Sequence, residues 1–213
     1  MSTQTPFDDE FRARLRELFV WRRDVRRFRR DALPDGLIEG LLETACLSPS
    51  VGLSQPWRFV IVEDAARRRA VRDVFEGCNA DALKCYTGER AARYARLKLA
   101  GLDDAPCHLA VFADRATPTG HGLGRNTMPE MAEYSAVAAV CTLWLAARAE
   151  GIGLGWVSIL DPARMSRILD VPADWRFIGY FCLGYPQHES DRPELERAGW
   201  EQRQPSATCV LRR

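Results

Sequence analysis

The chain has 213 residues, of which 46% are hydrophobic and 28% are charged, and its formal net charge is +1 at pH 7. This length and composition predict a single globular domain over residues 1–213 with its own core. The near-neutral charge argues against a nucleic-acid partner or an acidic membrane surface, because either would require an excess of basic residues.

Apolar residues at helical spacing predict a first helix over 11–19 and a second over 37–45. The N-terminal residues contain no apolar run of the kind found in signal peptides, so we expect a cytoplasmic location. A loop over 48–56 then leads into a predicted strand over 57–62, whose residues are WRFVIV.

Residues 64–100 are rich in Arg, Ala and Glu and predict mostly helix. Their apolar stripe is thin, which favours a helical lid over about 77–100. A second strand is predicted over 108–113, followed by a loop over 114–129 that is rich in Gly, Pro and Thr.

The strongest helical pattern covers 131–149, and its centre is apolar on every face. The run is shorter than the roughly 20 apolar residues of a transmembrane helix and has charged flanks. Such a helix must be buried in protein, and a subunit interface is a natural place for it. Strands over 156–159 and 177–183, with a helix over 162–169 between them, come next. A polar C-terminal arm is predicted over about 187–213.

The run Arg22-Arg23-Asp24-Val25-Arg26-Arg27-Phe28-Arg29-Arg30 concentrates positive charge in one short segment. Guanidinium groups are planar and permanently charged, which suits the capture of a phosphate. A solvated basic face is the competing interpretation, and an RNA-binding arm is disfavoured because stacking aromatics are missing. Asp24 is either an ion-pair partner of these arginines or a carboxylate that acts as a base on a ligand.

Other candidate motifs are less specific. The run Gly151-Ile152-Gly153-Leu154-Gly155 follows a helix and precedes a strand, which is the reverse of a dinucleotide-binding fingerprint, so it predicts a helix C-cap and a tight return. Ser158 lies on a predicted strand without a nucleophile elbow, and is expected to be a core polar group or a ligand contact. Three histidines without metal-ligand spacing predict no metal site, and seven scattered cysteines predict small buried side chains.

Taken together, these motifs resemble the nitroreductase-like flavoproteins. That family has an Arg-Arg-Ser-x-Arg pattern, a Pro-Ser-x-x-Asn-x-Gln-Pro-Trp loop, a long apolar dimer helix and a late basic residue that reaches the FMN phosphate. The counterparts in this chain are Arg22 to Arg26, Pro49 to Trp57, the helix over 131–149 and Arg203.

Two departures from that pattern are informative. Asp24 replaces the usual Ser, and the loop lacks the usual Asn, leaving Pro49-Ser50-Val51-Gly52. Together with Leu97-Lys98-Leu99 and Gly155-Trp156-Val157-Ser158-Ile159, these features are similar to a branch of the family that fragments its own flavin.

The resemblance implies an α+β fold in which a central mixed β-sheet is flanked by helices, in an intertwined homodimer with FMN at the interface. Asp24 and Ser158 would be catalytic. The FMN-binding residues implied by the family are Arg22, Arg23, Asp24, Val25, Arg26, Pro49, Ser50, Leu99, Ser158 and Arg203.

The implied reaction consumes reduced FMN as substrate and dioxygen as co-substrate. The products are 5,6-dimethylbenzimidazole, the lower ligand of cobalamin, and erythrose 4-phosphate, and a separate flavin reductase would supply the reduced FMN. The nearest alternative is an NAD(P)H-dependent FMN nitroreductase or flavin reductase, and a non-enzymatic flavin carrier is a second one.

Overall fold

A computed structural model describes residues 7–97 and 100–213 of the chain. Four strands form one sheet: β1 (Trp57–Ile61), β2 (Cys107–Asp114), β3 (Gly153–Val157) and β4 (Trp175–Gly184). The helices of the described residues are α1 (Asp9–Trp21), α2 (Leu37–Ala45), α3 (Ala65–Leu83), α4 (Gly88–Arg96), α5 (Gly101–Asp104), α6 (Met131–Ala149), α7 (Pro162–Leu169) and α8 (Glu194–Arg197). The helices predicted over 11–19, 37–45, 131–149 and 162–169 are therefore confirmed.

The sheet has the strand order β1-β2-β4-β3, and each neighbouring pair of strands is antiparallel. This arrangement confirms the α+β class but differs from the mixed sheet that the family resemblance implies. Within the described ranges, parallel pairing is limited to an isolated bridge between Asp24 and Leu154. The segment after α1 thus lies beside β3 in parallel, yet it pairs at single positions and does not become a strand.

Side chains alternate between the two faces of the sheet, as the period of a strand requires. On one face, Leu109 and Phe181 pack with Leu143 of α6 and with α2. On the other face, Phe112 and Tyr180 pack in a second buried cluster that includes residues of α3 and α7. The central strands β2 and β4 are therefore covered on both faces, which leaves the edge beside β3 to accept the N-terminal segment.

Helix α6 is buried on the sides that face the sheet and α2. Small residues such as Ala136 and Ala139 are fully buried there and let the helix approach the strands closely. On the opposite side, Tyr134 is 56% exposed and Cys141 is also exposed. Burial on every face, which the apolar composition predicts, is thus not achieved within one chain. None of the described helices is long and apolar enough to cross a membrane.

The glycine run after α6 brings the N-terminal segment into contact with β3. Gly151 has a φ of +72°, which confirms the predicted helix C-cap and tight return. A Cβ on Gly155 would lie 2.0 Å from the carbonyl oxygen of Val25, and a Cβ on Gly153 would lie 2.8 Å from the Val25 side chain. Only glycine allows this close approach, so these positions serve backbone packing.

Strand β3 begins and ends earlier than predicted, because it covers Gly153–Val157 instead of 156–159. Its last pair joins Val157 to Tyr180. Next to that pair, the ladder between β2 and β4 shifts its register, so the edge of β4 is irregular where Ser158 would pair. Ser158 therefore lies after the strand and is exposed, and the expectation that it is a core residue on a strand is wrong.

The prediction that the cysteines are mostly buried is also wrong. Cys107 and Cys182 are buried because they lie on the two central strands, and Cys78 is half-buried. The other four lie on helix surfaces or in turns and are exposed, namely Cys46, Cys85, Cys141 and Cys209.

One buried polar pair connects the two central strands. The Nδ1 atom of His108 lies 2.9 Å from the hydroxyl oxygen of Tyr180, inside the core. Burial, followed by the charge of Arg68, lowers the pKa of His108 from 6.5 to about 4. Burial also raises the pKa of Tyr180, so the tyrosine keeps its proton and can donate it to the imidazole.

We predict that stability falls when the pH is lowered from 7 to 5. The unfolded chain protonates His108 near pH 6.5, whereas the folded protein resists protonation until about pH 4. The free energy of unfolding should drop by up to about 2 kcal/mol, at about 1.4 kcal/mol per pH unit for one proton. Urea unfolding at both pH values measures this loss. His108→Gln should flatten the pH dependence, while His121→Gln, at an exposed histidine in the loop after β2, should leave it unchanged. A full slope in His108→Gln would contradict the assignment.

Candidate functional site

The arginine-rich segment is fixed between α6 and β3. The indole N–H of Trp144, on α6, donates to the carbonyl oxygen of Arg23 at 3.2 Å. The backbone N–H of Val25 donates to the carbonyl oxygen of Leu154 at 3.1 Å. The guanidinium of Arg22 lies over the Trp144 ring, 4.8 Å from its centroid. These contacts fix the register of the cluster, which the sequence alone leaves open.

Asp24 is held by both the sheet and its own segment. The backbone N–H of Trp156 donates to its Oδ1 at 2.9 Å, and Oδ2 lies 3.4 Å from Nε of Arg26. Burial raises the pKa of Asp24, and the Trp156 hydrogen bond and the Arg26 charge oppose this shift without cancelling it. The side chain is 37% exposed, and it lines two cavities. Asp24 is thus a carboxylate that is both accessible and unusually ready to take up a proton.

The first cavity, which we call the Ser158 cavity, has a volume of about 180 Å³. Asp24, Arg26 and Ser158 line one side of it. The remaining walls come from α3, the α4 region and the C-terminal segment, and include Phe75, Asn79, Tyr94, Leu97, Leu195 and Trp200. The structure therefore brings the two predicted catalytic residues, Asp24 and Ser158, to one largely apolar space. Sequence patterns did not single out Asn79, Tyr94 or Trp200, because they belong to segments far apart in the chain.

The second cavity, which we call the arginine cavity, has a volume of about 170 Å³ and shares Asp24 and Arg26 with the first. The basic side chains that line it are Arg23, Arg26, Arg27, Arg192, Arg197 and His188, and Glu194 adds a second carboxylate to its wall beside Asp24. Four of the basic positions lie outside the predicted set, namely Arg27, His188, Arg192 and Arg197. The last three lie in the C-terminal segment, whose polar sequence has no periodicity that could mark them.

Neighbouring cations repel one another at Arg23. Burial lowers the pKa of Arg23, and the positive charges of Arg203 and Arg22 lower it further. The predicted phosphate residue Arg203 is thus brought close to the N-terminal cluster. Its backbone N–H lies 3.5 Å from Oε1 of Glu196. A set of cations that repel one another is stabilised by a bound anion, which is the property expected of a phosphate site.

Pro49 and Ser50 do not line either cavity. Their loop is attached near the start of α6, where the backbone N–H of Val51 donates to Oγ of Ser135 at 3.1 Å. Trp144, which holds the arginine segment, lies nine residues further along the same helix, or about 13 Å at 1.5 Å per residue. Leu99, the remaining predicted flavin contact, lies outside the described residues. Within the described ranges, no group of three His, Cys, Asp or Glu side chains could hold a metal ion.

The sequence of the chain also matches a known family and named relatives. The model of the nitroreductase family matches residues 19–185. The chain is 56% identical over 205 residues to the 5,6-dimethylbenzimidazole synthase of Rhodospirillum rubrum, with 96% of this chain and 97% of the relative covered. It is 46% identical over 200 residues to a protein of the same name from Rhodobacter capsulatus, with 94% and 97% covered.

Among solved structures, the chain is similar to an oxidized iodotyrosine deiodinase bound to FMN and 3-iodo-L-tyrosine. The TM-score is 0.70 at 26% sequence identity, and the match covers 83% of this chain and 91% of that chain.

The arginine cavity generates a prediction that needs no flavin. Inorganic phosphate at ten times its Kd should stabilise the fold by about 1.4 kcal/mol, which raises the Tm by about 3 to 6 °C. The shift should shrink at high NaCl, because the attraction is electrostatic. Thermal unfolding with and without phosphate measures it. Arg197→Gln should reduce the shift and Arg164→Gln, on the exposed side of α7, should not. An equal response in both variants would remove the arginine cavity as the anion site.

Proposed function

The chain belongs to the nitroreductase family, and from this premise we propose that it forms 5,6-dimethylbenzimidazole by fragmenting reduced FMN with dioxygen. Relatives at 56% and 46% identity over nearly the whole chain carry that synthase name. The observation that carries the proposal is the position of Asp24. A carboxylate with a raised pKa lies where a cationic cavity and a largely apolar cavity meet.

The two cavities suit the two ends of FMN. The phosphate carries negative charge and fits the arginine cavity, with Arg22 and Arg203 adding charge from close by. The uncharged ring needs apolar walls with a few polar groups, as in the Ser158 cavity. Because both cavities are lined by Asp24 and Arg26, a molecule that extends from one to the other passes the Asp24 carboxylate.

When bound, reduced FMN supplies the electron-rich ring that reacts with dioxygen, and it is consumed as substrate. Asp24 accepts a proton from the part of the molecule that joins the ring to the phosphate, acting as a general base. The Trp156 N–H holds Oδ1 at 2.9 Å, whereas Oδ2 has only the longer 3.4 Å contact with Nε of Arg26. We therefore assign Oδ2 as the atom that takes up the proton. Ser158, which lines the same side of the cavity as Asp24, offers a hydroxyl that can donate a hydrogen bond to the ring or accept one from it.

The walls of the Ser158 cavity also exclude water from the ring. We propose that α4 and the residues around it form the lid predicted over about 77–100, and that residues 187–213 form the arm that covers it. Tyr94, Leu97 and Trp200 line this cavity, and we propose that they fill the space through which a nicotinamide ring would reach the flavin. This occupation counts against the NAD(P)H-dependent alternative. A cytoplasmic location and a separate flavin reductase stay predictions.

We further propose that the protein is a homodimer that completes each site with residues of both chains. The outer face of α6 exposes Tyr134 and Cys141, and the neighbouring α1 exposes Phe11 and Phe19. Patches of exposed apolar residues on this scale are typical of subunit interfaces. In one chain the Ser50 loop is attached about 13 Å along α6 from the arginine segment. A two-fold partner packed on α6 would bring the partner's loop to this chain's flavin, as the family resemblance implies.

The dimer is tested by placing a charge on the outer face of α6. Cys141→Arg should shift the protein from dimer to monomer, because the guanidinium would be buried without a partner in the interface. Light scattering after size-exclusion chromatography measures the mass. FMN affinity should fall together with the mass if the partner completes the site. Ala163→Arg, at an exposed position of α7, serves as the matched control. A Cys141→Arg protein that stays dimeric would place the interface elsewhere.

The function is tested with purified protein and chemically reduced FMN in aerated buffer. We expect 5,6-dimethylbenzimidazole to form as FMN is lost, with products followed by chromatography and mass spectrometry. FMN that is recovered intact after reoxidation would contradict the proposal and would make steady NAD(P)H consumption with a nitroarene the next assay.

Asp24→Asn should lower product formation by at least about 100-fold, the usual range for loss of a general base, while FMN binding persists. Because burial raises the pKa of Asp24, activity should be lost on acidification at a higher pH than an ordinary aspartate would give. Arg26→Gln should move this acid limb to still higher pH, since the Arg26 charge favours the ionised carboxylate. Asp31→Asn, at an exposed aspartate paired with Arg29, is the control. Full activity in Asp24→Asn would exclude the role of base.

A further inference from the structure

The far wall of the Ser158 cavity carries polar groups that the proposed reaction does not use. Asn79, on α3, and Tyr94, on α4, line the cavity that Asp24 and Ser158 line from the sheet side. Both side chains are half-buried. Most of their neighbours in the cavity are apolar, among them Phe75 and Leu97. An amide on this wall is a strong candidate for a ligand contact, because its neighbours there, apart from Tyr94, are mostly apolar.

The Asn79 amide has a defined orientation. The hydroxyl of Tyr94 donates to Oδ1 of Asn79 at 2.8 Å. Burial, followed by the nearby Tyr86, raises the pKa of Tyr94, so the hydroxyl stays protonated and acts as a donor. With Oδ1 engaged by Tyr94, the group that Asn79 can offer to a ligand is Nδ2, which carries two hydrogens.

Tyr94 is itself held by aromatic packing. Its ring stacks on Tyr86 with centroids 4.9 Å apart, and Trp200 lies 6.1 Å from it. Trp200 also meets Tyr86 edge-on at 5.4 Å, and the Arg90 guanidinium lies over its indole. A chain of contacts therefore runs from the C-terminal segment through Trp200 and Tyr94 to Asn79.

We propose that Asn79 is a further substrate-binding residue, whose Nδ2 donates a hydrogen bond to an acceptor atom of the flavin ring, and that Tyr94 is the positioning residue that orients it. This inference rests on the proposed flavin substrate. The flavin ring carries carbonyl oxygens and unprotonated nitrogens, and a neutral donor satisfies one of them without adding charge near Asp24. On the sheet side, the ionised Asp24 carboxylate can only accept hydrogen bonds, and the Nε donor of Arg26 is directed at Asp24. Asn79 thus supplies a donor from the side of the cavity opposite to Ser158.

A purely structural role would make a different prediction. If the Asn79–Tyr94 hydrogen bond only joined α3 to α4, a side chain that still accepts from Tyr94 would suffice. Asn79→Asp keeps that acceptor and removes the Nδ2 donor, whereas Asn79→Leu removes both. The two variants therefore separate a contact with the ring from a contact between helices.

The experiment measures binding of oxidized FMN and of riboflavin by quenching of flavin fluorescence. Asn79→Asp and Asn79→Leu should weaken both ligands about three- to tenfold, the range for one lost neutral hydrogen bond. Equal losses are expected because riboflavin has the ring without the phosphate. Arg197→Gln should weaken FMN alone. Tyr94→Phe should show a smaller loss than Asn79→Leu, and the double variant should be no worse than Asn79→Leu alone, as coupled residues require.

Asp81→Ala is the matched control, since Asp81 is on the same helix and its side chain is exposed in a pair with Lys84. Thermal unfolding of each variant verifies that it is folded. Asn79→Asp that binds FMN and riboflavin like the wild type would overturn the contact, whatever products the wild type forms. The wild type could release FMN intact while the Asn79 variants lose affinity for FMN and riboflavin equally. That result would contradict the proposed fragmentation reaction and support the Asn79 contact.

Discussion

The close approach of the segment over 22–28 to strand β3 is the constraint on which the site depends. Val25 donates its backbone N–H to Leu154, and the absence of a side chain at Gly153 and Gly155 leaves room for it. Once the segment lies there, Asp24 meets the N–H of Trp156, and its neighbours on either side project into the arginine cavity. One backbone contact thus sets the positions of the base and of the phosphate-binding cations together.

The charges of Arg23 and Asp24 lower the stability of the protein when no ligand is bound. Arg23 has a lowered pKa because it is partly buried beside other cations, and Asp24 has a raised pKa because its carboxylate is partly removed from water. Both shifts mean that the charged forms cost free energy without a ligand. A phosphate would relieve the repulsion among the arginines. A site that is strained in this way gains more from its ligand than a neutral pocket would.

Helix α6 contacts both the arginine segment and the loop that contains Ser50, which lie far from each other within one chain. Its inner face packs on the sheet through small residues, and Trp144 near one end anchors the arginine segment. Near the other end Ser135 holds the loop that contains Ser50. Because the outer face stays exposed and apolar, the helix can serve both as the core of the subunit and as the surface on which a partner packs. The proposed dimer depends on these two packing faces of α6.

Local patterns in the sequence were enough to predict the helices α1, α2, α6 and α7, since their apolar spacing depends only on neighbours along the chain. The bounds of α6 and α7 were predicted to the residue, and the arginine motif with its unusual Asp24 pointed to the flavin family. Tertiary structure alone decided which groups meet. The end of β3 and the exposure of Ser158 depend on an irregularity in β4, its neighbouring strand. Arg192, Arg197, Asn79, Tyr94 and Trp200 come from segments without a marked pattern and reach the site only through long-range packing. Periodicity reports which side of an element is buried, but not which distant side chains will share a cavity with it.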